Sequence, residues 1–293
     1  MLLGEGTERQ QTVVMEFRLP RIVLAVLVGI GMSLSGAVMQ TLLRNDMASP
    51  GTLGISAGSG LFVLLYIVLF SSVGSYAAYA LPLLAFIGGL TATALIFLIA
   101  YRREQVFSPT GLILTGVALG SGYGAVTLLL TMKLDQDQIN FVLRWSAGSL
   151  WGVEWRYLAI LAPWVLLFSL YIFYKSRMLN ALHFGNQMAT GLGVAVKPQF
   201  LSLSIAAIAL ASGSVSLGGN FFFVGLIAPH MARRLVGSNH KWVLPVSGLI
   251  GAVVVLLADT ITRTISFGAD VPTGIVITIL STPYFLYLLS RAN

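Results

Sequence analysis

The sequence predicts an all-α fold, a polytopic bundle of transmembrane helices. Mean hydropathy is +0.88, and 57% of the 293 residues are hydrophobic while 9% are charged. Apolar blocks recur from end to end near the ~20 residues that a helix needs to cross the hydrocarbon core. They fall near 22–43, 53–72, 79–101, 109–132, 157–174, 200–217, 221–236, 245–265 and 272–290, nine candidate spans with no room for a soluble domain. Within lipid the backbone must satisfy its own polar groups, which makes these spans helices.

Taken in order, residues 1–17 have no apolar core and read as an extracytoplasmic remnant ahead of the first block. That block carries Gly29, Gly31 and Gly36, and block 109–132 carries Gly116, Gly120 and Gly124 at strict four-residue spacing. Small residues so spaced let helices approach closely in lipid. Two readings of the second set stand: a packing face, or the wall of a cavity for a bulky solute. The connector 175–198 is too long for a simple turn. Leu179, Leu182, Met188, Ala189 and Leu192 give it apolar contacts for short helices, punctuated by Gly185, Gly191 and Gly193. It fits an interfacial helix on lipid headgroups or a docking surface for a cytosolic protein. Block 221–236 is too short to cross, breaks at Pro229 and runs out into Arg233, Arg234 and Lys241, a stubby helix ending at a charged face. In block 245–265, Asp259 and Arg263 share a helix face at i,i+4 spacing, as a structural ion pair or as a group with a transport role.

The net charge of +7 does not indicate a nucleic-acid partner, because the basic residues sit in short connectors rather than on one face. Putting connectors 44–50, 102–108, 175–198 and 237–244 and the C-terminus on one side gathers Arg44, Arg102, Arg103, Lys175, Arg177, Lys197, Arg233, Arg234, Lys241 and Arg291 against Asp46 and Glu104. The positive-inside rule makes that side the cytoplasm. On the other side, Arg9, Arg18, Arg21, Lys133, Arg144, Arg156 and Arg263 are balanced by Glu5, Glu8, Glu16, Asp135, Asp137, Glu154 and Asp270.

No enzymatic constellation is visible. With no cysteine there is neither disulfide nor thiolate chemistry, and His183, His230 and His240 have no metal-ligand spacing. A nucleophile elbow and a phosphate-binding loop are both missing, so ATP-driven work would come from a partner.

Several motifs in one order resemble the FecCD family: RLPR at 18–21, LSGAVMQTLLRND at 34–46, SPGTLGISAG at 49–58, LTGVALG at 114–120, FVGLIAPHMARRLVG at 223–237, His240 with its following LP, LADTITR at 257–263 and VPTGIVITILSTPYFLYLL at 271–289. That family comprises the membrane permeases of binding-protein-dependent ABC importers for ferric siderophores, haem and cobalamin. The resemblance covers residues 18–293 as one permease domain. It implies ten helices per subunit in two inverted-topology halves, so nine are expected here with the first absent, by truncation or by a misassigned start. It also implies a second permease subunit, identical or related, two cytosolic ABC ATPase subunits that hold ATP and Mg, and an extracytoplasmic solute-binding protein. This chain then needs no cofactor or metal of its own and lies in the bacterial cytoplasmic membrane with its C-terminus inside.

By the same resemblance, Arg18, Arg21 and Arg263 face outward and pair with glutamates on the binding protein. Residues 179–193 become the paired coupling helices, with Leu182, Gly185, Asn186, Met188, Ala189, Leu192 and Gly193 seated in the ATPase cleft. Asn45, Met47, Ser108 and Thr110 fall at a cytoplasmic gate, and the helix of Gly116, Gly120 and Gly124 lines the path with block 272–290. The expected cargo is a ferric siderophore, with cobalamin or haem as alternatives. A channel or an ion-coupled secondary transporter is the rival class. The latter would need intramembrane acids, of which only Asp259 qualifies.

Overall fold

A computed structural model of the protein describes residues 7–52, 54–70, 77–100, 109–150, 154–264 and 271–290. The described residues form helices and connecting loops, without strands. Each of the nine apolar blocks is a helix: α2 (Leu19–Leu43), α3 (Ile55–Phe70), α4 (Ala77–Ala100), α5 (Pro109–Thr131), α7 (Trp155–Tyr174), α10 (Val196–Gly218), α11 (Phe222–Val236), α12 (His240–Thr264) and α13 (Thr273–Ser290). Five helical stretches are long and apolar enough to cross a membrane by themselves, which makes this a multi-pass membrane protein.

The first helix begins well before the apolar block. A short α1 (Glu8–Thr12) passes through a π-helical stretch, Val13–Arg18, into α2, giving one 36-residue rod. The π stretch has a local cause. Pro20 lies in the first turn of α2 and has no N–H to offer the preceding turn, and the Leu19 N–H bonds back to Val14 O in the wider register.

The segment between the fourth and fifth blocks adds a helix that hydropathy does not mark, and two expectations are corrected. The polar connector 133–156 contains a helix, α6 (Gln136–Ser146), started by a capping box: Asp135 accepts from the Gln138 N–H at 2.8 Å while the Gln138 side chain accepts from the Asp135 N–H at 3.2 Å. Pro229 does not break α11, which continues to Val236. The connector placed at 237–244 shrinks to Gly237–Asn239, because α12 starts at His240 and runs through Pro245.

The core is built around α2, buried nearly continuously from Leu24 to Leu43 and packed on α7, α10, α11 and α12. Glycine pairs set these distances. A Cβ on Gly29 would lie 2.5 Å from the Gly251 carbonyl oxygen of α12, and one on Gly58 the same distance from that of Gly88 in α4. Gly36 meets the Gly225 carbonyl of α11 still more closely. This is the carbonyl that Pro229, four residues on, cannot bond, so the proline leaves it free to face α2. Side chains add polar ties between helices: Ser35 Oγ donates to Ala207 O at 2.6 Å, Trp164 Nε1 to Ala209 O at 2.7 Å and Gln40 Nε2 to Leu226 O at 3.0 Å.

Two interruptions separate helices inside the bundle. After Arg44 ends α2 in the left-handed region (φ 48°), the described residues before α3 are non-helical, with Ala48, Ser49 and Pro50 buried. A second break, Gly219–Phe221, separates α10 from α11.

Candidate functional site

At one end of the bundle lies a charged cluster drawn from three helices. Asp259 of α12 is fully buried. Arg21 of α2 directs both Nε and Nη2 at its Oδ1, each at 2.8 Å, and Thr273 of α13 donates to the same oxygen at 3.4 Å. Arg263, one turn along α12, places Nε 3.1 Å from Oδ2 and donates to the Asp259 carbonyl at 3.4 Å. The ion pair expected from the i,i+4 spacing is therefore formed, and Arg21 joins it. Two guanidinium groups around one carboxylate leave a net positive charge, and both still reach solvent, at 18% and 34% side-chain exposure. Arg18 is exposed one turn ahead of Arg21. Nearby, Trp155 Nε1 donates to Met15 O at 2.9 Å, tying the start of α7 to the π stretch.

At the opposite end, the connector after α7 folds into two short helices, α8 (Ser176–His183) and α9 (Asn186–Gly191). Gly185 between them has φ 100° and Gly193 after them φ 78°, values that suit glycine because it lacks a Cβ. Leu179, Leu182 and Ala189 are buried against the bundle, whereas Phe184, Met188 and Leu192 stand out at 71%, 59% and 63% exposure. The sequence reading missed Phe184, whose neighbours to either side are polar or glycine. Leu182 and Ala189 anchor the hairpin rather than face outward. Beside it, Arg233 of α11 pairs with Asp46 at 3.0 Å and bonds the Gln40 side chain.

Between the two ends is a cavity of about 270 Å³ lined by α3, α5, α6 and both helix interruptions, including Gly51, Gly60, Gly124, Trp145, Asn220 and Phe222. The α5 glycine face divides. The Gly116 carbonyl and Gly120 pack on Gly54, whereas Gly124 has nothing within 4 Å of its Cβ position and opens on the cavity. Trp145 and Asn220 carried no signal beyond their residue types. Of the proposed gate, Asn45 Oδ1 accepts from the Met47 N–H at 2.9 Å, with Met47 exposed. Thr110 lies in the first turn of α5 and Ser108 lies outside the described residues. Among the described residues no group of side chains is arranged to hold a metal.

The FecCD transport family matches residues 1–291. The chain belongs to that family. Among its relatives, the iron(3+)-hydroxamate import system permease protein FhuG of Bacillus subtilis is 41% identical over all of this chain and 88% of its own length. The hemin transport system permease protein HmuU of Yersinia pestis is 37% identical over 94% of this chain and 83% of its own. A solved metal-chelate type ABC transporter in an inward-facing conformation superposes with a TM-score of 0.87 at 31% identity, covering 99% of this chain and 91% of the other. As a FecCD protein, the chain is a transport permease and not an enzyme, and its helical fold is that of ABC importer permeases.

Proposed function

We propose that this FecCD permease carries ferric siderophores inward across the bacterial cytoplasmic membrane as the transmembrane part of an ABC importer. The whole-length similarity to the hydroxamate permease FhuG carries the cargo assignment, and the hemin relative makes haem the second reading. Two copies, or this chain and a related one, enclose the path, each built from two inverted halves. A pair of cytosolic ATPases, holding ATP and Mg, grips the α8–α9 hairpin through Phe184, Met188 and Leu192, the apolar side chains that the hairpin leaves uncovered. The basic end is cytoplasmic and the arginine end receives a solute-binding protein, where guanidinium groups suit carboxylates on the partner. An ion-coupled carrier fits poorly, because the one buried acid among the described residues is held by two arginines rather than free to exchange an ion.

Uptake of radioactive iron, given as a panel of ferric chelates to cells lacking the chain and to complemented cells, tests this. Restored, ATP-dependent uptake of a siderophore is expected. Restoration with haem alone would move the cargo, and uptake that persists without ATP would refute the importer.

A further inference from the structure

Asn180, on α8, reaches out of the hairpin and caps another helix. Its Oδ1 accepts the His240 backbone N–H, the first of α12, at 2.8 Å, and its Nδ2 donates to Oδ1 of Asn239 at 3.0 Å. A helix leaves its first N–H groups without partners of its own, and here one is satisfied from the hairpin. The same Oδ1 lies 2.8 Å from His240 Nδ1. Since that oxygen already accepts from the backbone, Nδ1 is the protonated nitrogen. A neutral ring then accepts at Nε2, and Thr41 Oγ1 of α2 stands 2.6 Å from it and 2.9 Å from the Ala37 carbonyl, its single proton shared between the two acceptors. His240 and Thr41 are both buried, so one ring joins α8, α12 and α2 out of reach of competing water.

From this joint α12 runs 25 residues without interruption to the arginine cluster, where it carries Asp259 and Arg263. Midway, its Gly251 lies against the backbone of Gly29 and the side chain of Ser33, both in α2. The helix is thus held by the hairpin at one end, bears the arginine face at the other, and touches α2 backbone to backbone between them.

We propose that Asn180 and His240 form the joint through which the α8–α9 hairpin drives α12, and that α12 relays movement between the ATPase face and the arginine face. The inference rests on the importer reading, and both residues act by positioning. The complete importer, reconstituted in vesicles with a radioactive ferric hydroxamate, is the system in which to test it. Because the chain has no cysteine, nitroxide labels at Thr264→Cys, on the far end of α12, and Leu167→Cys, on α7, report the movement directly. The unsubstituted complex is measured first: without ATP-driven uptake there, the importer reading itself fails. Given that uptake, Asn180→Ala is expected to lower transport roughly fivefold or more while ATP hydrolysis stays within about twofold, a loss at the lower end of allosteric coupling. The ATP-dependent change in label distance disappears with it. Asn180→Asp, which keeps the acceptor toward His240, restores part of both. A wild-type ratio of ATP to solute and an intact distance change in Asn180→Ala overturn the proposal. So does a parallel loss of assembly, hydrolysis and uptake in both Asn180→Ala and Thr41→Val, which marks a merely structural contact.

Discussion

Exchanging the buried carboxylate of Asp259 for an amide tests the arginine cluster most directly. Asp259→Asn keeps the volume and removes the charge that holds Arg21 and Arg263. Arg21 makes two contacts with one oxygen, both at 2.8 Å. Hydrogen bonds to charged groups contribute ~1.5–3 kcal/mol each. Two that share an acceptor, made by a side chain still 18% exposed, together contribute about 2 kcal/mol, below the ~3–5 kcal/mol of a fully enclosed pair that loses one member. The cycle consists of Asp259→Asn, Arg21→Gln and the double variant, melted in lipid nanodiscs. Asp259→Asn alone should be the worst of the three, because it leaves two guanidiniums facing each other, and the added Arg21→Gln should recover part of the loss. Coupling within about 0.5 kcal/mol of zero, the scatter of independent sites, would refute the account. Charge reversal at Arg21 is a poorer probe, since Arg21→Glu adds a new carboxylate–carboxylate repulsion against Asp259 to the loss of the attraction under test.

Other perturbations address the remaining contacts. Gly36→Ala drives a methyl into the Gly225 carbonyl and should cost roughly 1–3 kcal/mol, whereas Gly122→Ala, with open space around it, should melt like the parent; equal melting of the two would sink the close-approach reading. Replacing Phe184, Met188 and Leu192 together by serine should reduce co-purification of the ATPase about tenfold, as loss of ~1.4 kcal/mol of interface contact implies, without changing melting; undiminished co-purification would remove the hairpin from that interface. Arg18→Glu should slow association of the binding protein at low salt, with the deficit fading as ionic strength rises, and a salt-independent rate would argue against electrostatic docking. Gly124→Phe, which projects into the cavity, should block uptake at unchanged melting, while Gly120→Phe, set against Gly54, should lose both; normal uptake in Gly124→Phe would take the cavity off the path.

The membrane scaffold was legible because lipid makes hydropathy and helix nearly equivalent, and all nine apolar blocks are helices. Where polarity ruled, the same signal failed. α6 has little apolar length, and its one legible mark was Asp135 followed three residues later by Gln138. Pro229 looked like a break and the next span was placed from residue 245 on, yet α11 passes through Pro229 and α12 starts at His240 and passes through Pro245; a proline costs one backbone bond. The i,i+4 pair of Asp259 and Arg263 could be read locally. Arg21, 238 residues away in sequence, and the meeting of Asn180 with His240 could not, because no local periodicity reports which helices lie side by side.

The two helix interruptions border one cavity. Non-helical backbone at membrane depth is tolerated where protein covers it or where it borders a cavity, and Gly51 and Asn220, one from each interruption, line the same space. Its other polar groups are neutral: Ser56, Thr127 and Ser146, set among Val63, Leu64, Ile67, Phe141, Trp145 and Phe222. Ser56 Oγ is buried without a hydrogen-bond partner among the described residues, so it can bond whatever fills the cavity. A wall with no ionisable side chain among the described residues would give a charged chelate no deep electrostatic well, and a solute not held in the middle could leave on either side. In the importer proposed above, discrimination among chelates would then lie outside this wall. Such a division of labour would let one scaffold serve permeases named for hydroxamate and for hemin.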